Sequence, residues 1–234
     1  MRNPYFRFKQ FTIQQGNCAM KVGTDGVLLG AIAPVEQAKS ILDIGTGTGL
    51  LALMLAQRCP TASIDAIEID EAAAAQAREN VAESPWKHIC VVHSSLQDYQ
   101  TANTYQLIVS NPPYFVDSLK APNANRNLAR HTDSLSFTDL LQGVAKLLHP
   151  DGSFWVILPH NETERFQQLA MQVGLFVYHK IHVYPRADKP AKRIVMGFCK
   201  SLKAVTEENL TIENEQRHDY TPAFAQLTAP FYLD

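Results

Sequence analysis

Apolar residues in this chain come in short blocks that alternate between two periods. Residues 41–44 (ILDI), 63–70 (SIDAIEID), 88–92, 107–109 (LIV), 153–158, 175–184 and 194–199 are strand-length runs rich in β-branched and aromatic side chains. Between them, in 50–58, 71–83, 137–148 and 162–173, the spacing is that of helices with one apolar face. Asp70 and Ser136 stand where helix N-caps belong, Gly174 suits a C-cap, and Thr24 or Asp25 can cap a helix over 24–33 that Pro34 closes. Strands alternating with helices predict an α/β chain on a mostly parallel sheet. Residues 185–193 read as a hairpin loop, so 194–199 closes that sheet antiparallel. Outside this repeat, 6–11 alternates aromatic with polar and reads as a cap strand. Residues 115–136 have no period and read as a lid, and 210–212 is a short strand in a tail that docks through Tyr220, Phe224 and Leu227. The expected organisation is one domain: a cap strand and helix in 1–39, a core in 40–200 and a docking tail in 201–234.

Composition narrows this picture. The 234 residues, 46% of them hydrophobic, suffice for one full α/β core. No apolar run approaches a bilayer span and the N-terminus has no apolar signal region, so a cytoplasmic protein without a membrane partner is expected. Cys18, Cys59, Cys90 and Cys199 are far apart and read as reduced, mostly buried thiols. His179 and His182 fall in a strand at a spacing that sends them to opposite faces, so no metal site is expected. With a net charge of −2, any polyanion contact must come from a local patch. Arg186, Lys189, Lys192 and Arg193 form one candidate, and a solvated hairpin is the plain alternative.

The chemistry-bearing residues sit where strands end. After strand 41–44 comes Gly45-Thr46-Gly47-Thr48-Gly49, then a helix: a nucleotide-binding opening in which glycine lets the backbone approach a ligand. The spacing is G-x-G-x-G with Asp43 ahead of it, not the G-x-G-x-x-G of dinucleotide enzymes. Glu68 ends the next strand, where a carboxylate can accept from both ribose hydroxyls; Asp70 is the alternative, although its position suits a helix cap. The loop 94–98 carries Leu96 and Asp98, which by position border a bound adenine, Asp98 reading equally well as a solvated acid. The strand 107–109 ends at Asn111-Pro112-Pro113-Tyr114, where two prolines stop the ladder and make a rigid elbow. The Asn111 side-chain oxygen and the Pro112 carbonyl are acceptors that can grip the two hydrogens of an exocyclic amine, and Tyr114 can stack on its ring.

These motifs carry a resemblance. The glycine turn with Asp43 resembles motif I of S-adenosylmethionine-dependent methyltransferases, and Asn-Pro-Pro-Tyr resembles the (D/N/S)-PP-(Y/F/W) motif of amino-methyltransferases. With KVGTDGVLLG, LDIGTGTGL, SNPPY, ARH…LSF and the terminal YT-x-x-F-x-x-LT-x-x-FY, the chain is similar over nearly its whole length to the tRNA(Val)-specific adenine N6-methyltransferase family. The resemblance implies a Rossmann-like class I methyltransferase, an α/β seven-stranded doubly wound sheet with its last strand antiparallel. It implies S-adenosylmethionine as cofactor and, as partner, a tRNA with a valine-type anticodon loop, methylated on the adenine immediately 3′ of the anticodon by a monomeric enzyme. Lys21, Thr24 and Asp25 would lie beside the methionine end of the cofactor; Asp43, Gly45, Thr46, Gly47, Gly49, Glu68, Ile69, Leu96, Asp98 and Asn111 would line the rest. Asn111, Pro112 and Tyr114 would act on the amine. RNA would meet Arg126, Arg130 and His131 in the loop and Arg186, Lys189, Lys192 and Arg193 in the hairpin; on this view 6–11 is either a plain cap or a cationic strand near RNA. Protein glutamine methyltransferases share N-PP-Y but carry a substantial helical domain before motif I, and residues 1–40, all that precedes it here, disfavour them. A guanine-N2 or DNA adenine enzyme, or an RNA-binding protein that retains only the fold, remain as rivals; intact Asn111 and Glu68 count against the last.

Overall fold

A computed structural model describes residues 3–16, 21–113 and 135–233. A small hairpin of β1 (Tyr5–Arg7) and β2 (Thr12–Gln14) precedes α1 (Thr24–Ile32). The alternating core follows: β3 (Ser40–Ile44), α2 (Leu50–Arg58), β4 (Ser63–Glu68), α3 (Glu71–Ala82), β5 (Cys90–His93) and β6 (Tyr105–Ser110). After it come α4 (Phe137–Leu147), β7 (Leu148–Pro159), α5 (Thr163–Gln172), β8 (Phe176–Arg186), β9 (Arg193–Cys199), β10 (Thr206–Glu213) and α6 (Pro222–Thr228). The main sheet runs β10-β8-β9-β7-β6-β3-β4-β5, with β9 antiparallel to both neighbours and every other pair parallel.

The strand order reverses at β3, which lies between β4 and β6. Ile44 stands opposite Ile67 on one side and Ser110 on the other, so Gly45, Glu68 and Asn111 emerge side by side at one edge of the sheet. That edge is the carboxyl end of parallel strands at a switch point, where doubly wound sheets bind ligands. Alternation along the strands feeds two cores. Ile41, Leu107, Val109 and Trp155 pack with α1, α2 and the tail residues Phe224 and Phe231, whereas Leu42, Ile108, Phe154 and Val156 pack with α4 and α5.

The structure departs from the expected elements in four places. The sheet has eight strands, because Thr206–Glu213 pairs parallel to β8 along its whole length, from Thr206↔His179 to Glu213↔Arg186. Its first four residues are exposed at the sheet edge and carry no apolar alternation, which is why only 210–212 read as strand. Second, β7 begins at Leu148, directly out of α4, and its pairing to β6 shifts register between Tyr105 and Leu107. Third, the N-terminal strand is a hairpin turning at Lys9 and Gln10. Fourth, the cap of α1 is Gly23, in extended geometry and without a side-chain bond, rather than Thr24 or Asp25. The caps Asp70 and Ser136 stand as expected, accepting from Ala73 N and Asp139 N, and Gly174 follows α5 at φ +76°. Phe224 docks the tail at 1% exposure, while Tyr220 stays 41% exposed against it. Cys59, Cys90 and Cys199 are free thiols, Cys90 being exposed on the edge strand β5. Among the described residues no helix is long and apolar enough to cross a membrane, and no group of three or more His, Cys, Asp or Glu is poised to hold a metal.

One buried amide ties the cap to the core. Asn80, fully buried on α3, accepts from Gln14 N at 2.8 Å and donates to Gln14 O and Thr48 O at 2.9 Å each. Asn80→Ala leaves these backbone groups without partners, at a cost of about 1–3 kcal/mol for an unsatisfied buried group. Urea unfolding is expected to show a lower midpoint at unchanged slope; an unchanged midpoint means the hairpin does not depend on this amide.

Candidate active site

A cavity of about 510 Å³ opens at the carboxyl edge of β3, β4 and β6. Gly45 and Gly47 form its floor with φ of +73° and +57°, a backbone conformation that L side chains rarely adopt. A Cβ on either would meet no atom within 4 Å, because it would project into open space that a ligand can fill. The turn is held from β4: Gly45 N and Thr46 N both donate to Ile67 O, at 2.9 and 3.0 Å. Glu68, 9% exposed, accepts from Gly47 N at 2.8 Å through Oε2 and from Asp70 N at 3.0 Å through Oε1. Both oxygens are thereby oriented, and a carboxylate oxygen has a second lone pair to offer a ligand. Asp70, although it borders the cavity, spends its side chain on Ala73 N at 2.8 Å as the cap of α3.

Ile44, Ile67, Ile69 and Leu96 supply the apolar wall. Ile69 is 54% exposed, unusual for an isoleucine directly after a core strand. Ser95 Oγ donates to Asp98 Oδ2 at 2.7 Å and accepts from Asp98 N at 3.1 Å, so the loop orients its own acid. Asn111 and Pro112 complete the rim beside Ser110, whose buried hydroxyl donates to Ile44 O at 2.9 Å. Gly26 of α1 backs the elbow closely: a Cβ there would stand 3.8 Å from Asn111 Nδ2 and 2.9 Å from Leu50 Cδ2.

Asp43 lies behind the turn rather than in the cavity wall. Its Oδ2 accepts from Thr46 Oγ1 at 2.6 Å and Ala52 N at 3.2 Å, while Oδ1 is buried without a partner among the described residues. Burial pushes its carboxyl up to about 7, the bonds from Thr46 and Ala52 oppose this, and the nearby Glu68 charge adds to it. Thr46 and Gly49 likewise belong to the turn's inner side. Lys21 is half-buried and is not part of the cavity wall.

The structure places Thr24 and Asp25 on a different cleft, together with Lys192 and Arg193. Arg193 donates through Nε to Asp25 Oδ2 at 2.7 Å. Elsewhere in the hairpin, Arg186 and Lys189 both pair with Asp188, at 3.3 and 3.4 Å, and Lys192 is exposed. Tyr114, Arg126, Arg130 and His131 lie outside the described residues. Sequence reasoning missed Ser94, Ser110 and Gln97 as cavity residues and the Asp25–Arg193 pair; for the serines, adjacency to Asn111 and to the Leu96 loop was the available signal.

A doubly wound sheet with an antiparallel β9, a glycine turn that leaves room for a ligand, an oriented acid at the end of β4 and Asn-Pro-Pro at the end of β6 define a class I S-adenosylmethionine-dependent methyltransferase. The description "Methyltransferase small domain" matches residues 19–176. Relatives named tRNA1(Val) (adenine(37)-N6)-methyltransferase share 49% identity in Bacteroides fragilis, across 100% of this chain and 99% of the relative, and 45% in Pectobacterium carotovorum, across 100% and 95%. The chain therefore belongs to the methyltransferase small-domain family and, within it, to the group that carries that name. Among solved structures, a predicted O-methyltransferase from Agrobacterium tumefaciens superposes with a TM-score of 0.66 at 19% identity, covering 88% of this chain and 96% of its own. A 16S rRNA N2 G1207 methyltransferase from T. thermophilus, in complex with AdoMet and guanosine, gives 0.59 at 20% identity, covering 84% and 50%. Both are similar in fold.

Asp43 has a consequence for stability. Between about pH 4 and pH 7 the folded chain holds a proton there that the unfolded chain releases, so this group's contribution favours folding most at the acid end and is lost as pH rises through the window. The slope is at most about 1.4 kcal/mol per pH unit. Asp43→Asn is expected to remove that fall from thermal melts recorded between pH 4 and 7. Parallel melting-temperature profiles for the two proteins mean that Asp43 titrates normally.

Proposed function

We propose that this chain methylates N6 of an adenine in tRNA, adenine 37 beside the anticodon of tRNA1(Val), using S-adenosylmethionine. The observation that carries the reading is that Asn111 and Pro112 line the same cavity as Glu68 and the Gly45–Gly47 floor, so an amine grip and a cofactor cradle share one space. The cavity fits the cofactor: open floor, oriented carboxylate, apolar wall. When bound, S-adenosylmethionine supplies a methyl group on a positively charged sulfur.

The chain's own residues do the rest. Glu68 accepts from the ribose hydroxyls, Ile69 and Leu96 bracket the adenine ring, and Asp98, turned by Ser95, accepts from its amine. A tRNA loop base swings out more cheaply than one in a duplex. The Asn111 side-chain oxygen and the Pro112 carbonyl accept the two hydrogens of its exocyclic amine, and Tyr114 stacks on its ring. Held in this way, the amine nitrogen presents its lone pair toward the methyl group, and the gain comes from positioning. Asp43 and Thr46 act on the turn from behind. The whole chain works as one domain and as a cytoplasmic monomer. The RNA contacts are Lys192 and its neighbours Arg186, Lys189 and Arg193, with Arg126, Arg130 and His131.

Two substitutions separate the halves of this site. Glu68→Ala is expected to weaken S-adenosylmethionine binding by about 1–3 kcal/mol in calorimetry, whereas Asp70→Ala lowers stability through the lost cap and spares affinity. The reverse pattern moves the ribose role to Asp70. Asn111→Ala keeps both prolines and removes one acceptor aligned with the amine during transfer. In single-turnover methylation of tRNA its rate is expected to fall about a hundredfold or more while cofactor affinity holds; full activity would sink the proposed grip.

A further inference from the structure

The second cleft has its own chemistry. The first turn of α1 separates it from the elbow: Gly26 faces the Asn111 amide, while Thr24 and Asp25 face the β8–β9 hairpin. The cleft holds about 320 Å³, at the small end of ligand pockets, which run from about 300 to 1,000 Å³. Val183, Pro185 and Ile212 give it apolar walls. Its polar groups are few and fixed. Asp25 is anchored through Oδ2 by Arg193 Nε, 168 residues away in the chain, at 2.7 Å. Asp25 Oδ1 and the Thr24 hydroxyl have no hydrogen-bond partner among the described residues, and the exposed Lys192 stands at the rim.

This combination matches one kind of occupant. Apolar walls suit the faces of a ring, a carboxylate oxygen that can only accept suits an amino group on that ring, and an ammonium at the rim suits a phosphate. Gly26 of the first turn of α1 lies against the Asn111 amide, so a strand that delivers an adenine to Asn111 along this side of the elbow brings a neighbouring nucleotide to Thr24 and Asp25. The geometry points to a second nucleotide subsite: the cleft takes an amino-bearing base next to the methylated adenine, with Asp25 Oδ1 and Thr24 on its amino edge and Lys192 on its phosphate. This inference rests on the RNA reading of the first cavity and assigns the Asp25–Arg193 pair to substrate reading rather than to the cofactor.

The test crosses RNA changes with protein changes. Anticodon stem-loops are made with each nucleotide flanking the target replaced singly by an abasic residue. Their KM values are measured with the wild-type enzyme and with Thr24→Ala, Asp25→Asn and Lys192→Ala. In the wild type one flanking position is expected to raise KM about tenfold. In Thr24→Ala or Asp25→Asn that same replacement is expected to add little, the signature of two changes that remove one interaction. Lys192→Ala is expected to weaken all the RNAs alike and to reduce the salt slope by about one. Calorimetric S-adenosylmethionine affinity should hold in all three. Thr24 is exposed, so Thr24→Ala keeps the ion pair and the test survives if Asp25→Asn does not fold. Abasic penalties that simply add to the protein changes at every position overturn the subsite, and a loss of cofactor affinity in Thr24→Ala gives the cleft to the cofactor instead. Failure of the wild type to methylate the unmodified stem-loop is a separate result, which overturns the RNA reading and the subsite with it.

Discussion

Gly47 N and Asp70 N converge on the carboxylate of Glu68, and the rest of the site depends on that junction. A glycine turn with positive φ at alternate residues, Gly45, Gly47 and Gly49, leaves backbone N–H groups without a helix or ladder to satisfy them. A charged acceptor at the end of the adjacent strand takes one of them, and Ile67 O takes two more. The turn is thus braced from β4, the strand that the register of β3 places beside it. Asp70, whose own N–H is held by Glu68, turns its side chain to the cap of α3. Asp43 braces the turn from beneath through Thr46, and its buried Oδ1, without a partner among the described residues, shows what that position costs.

From this junction the order spreads to both termini. Thr48, in the turn, accepts from Asn80, which also holds the N-terminal hairpin through Gln14. Leu50, at the start of α2, is packed beneath Gly26, and α1 touches the tail through Phe224 and its neighbours in the shared core. Arg193 then fastens α1 to the β8–β9 hairpin. Segments that read as a cap and a tail are therefore walls around α1, the helix that backs Asn111.

What could be read in the sequence follows from where the chemistry sits. Gly45, Gly47, Glu68 and Asn111 were legible because each interrupts a strand-length apolar run, and a parallel sheet puts all such interruptions on one edge. The antiparallel β9 was legible from a connection too short to hold a helix. Strand β10 was not, because an edge strand with an exposed start has no need of alternation. Thr24 and Asp25 misled as caps for a different reason: small polar residues ahead of an apolar run look the same whether they cap a helix or follow its cap, and only the fold shows Gly23 in the cap position. Asp43 has the same ambiguity, since an acid before a glycine turn can face either side of it. The basic hairpin was visible as charge, but the pairing of Arg186 and Lys189 with Asp188, and of Arg193 with Asp25, is a property of folded distance.

Those pairings bear on how a chain with a net charge of −2 can engage a polyanion. Four cations in one hairpin suggest a patch, yet two of them share Asp188 and a third is turned inward toward α1. A patch whose charge is partly offset by Asp188 and Asp25 gives a reduced sequence-independent attraction, since that attraction scales with the number of phosphates neutralised. Discrimination must then come from shape and from base edges, which single-stranded loops expose and duplexes hide. The cavity at the strand ends sets the apolar Ile67, Ile69 and Leu96 beside Glu68 and Asn111, and the cleft across α1 sets Val183, Pro185 and Ile212 beside Asp25. On the RNA reading proposed above, such a surface favours a loop that offers the right rings in the right order over RNA in general.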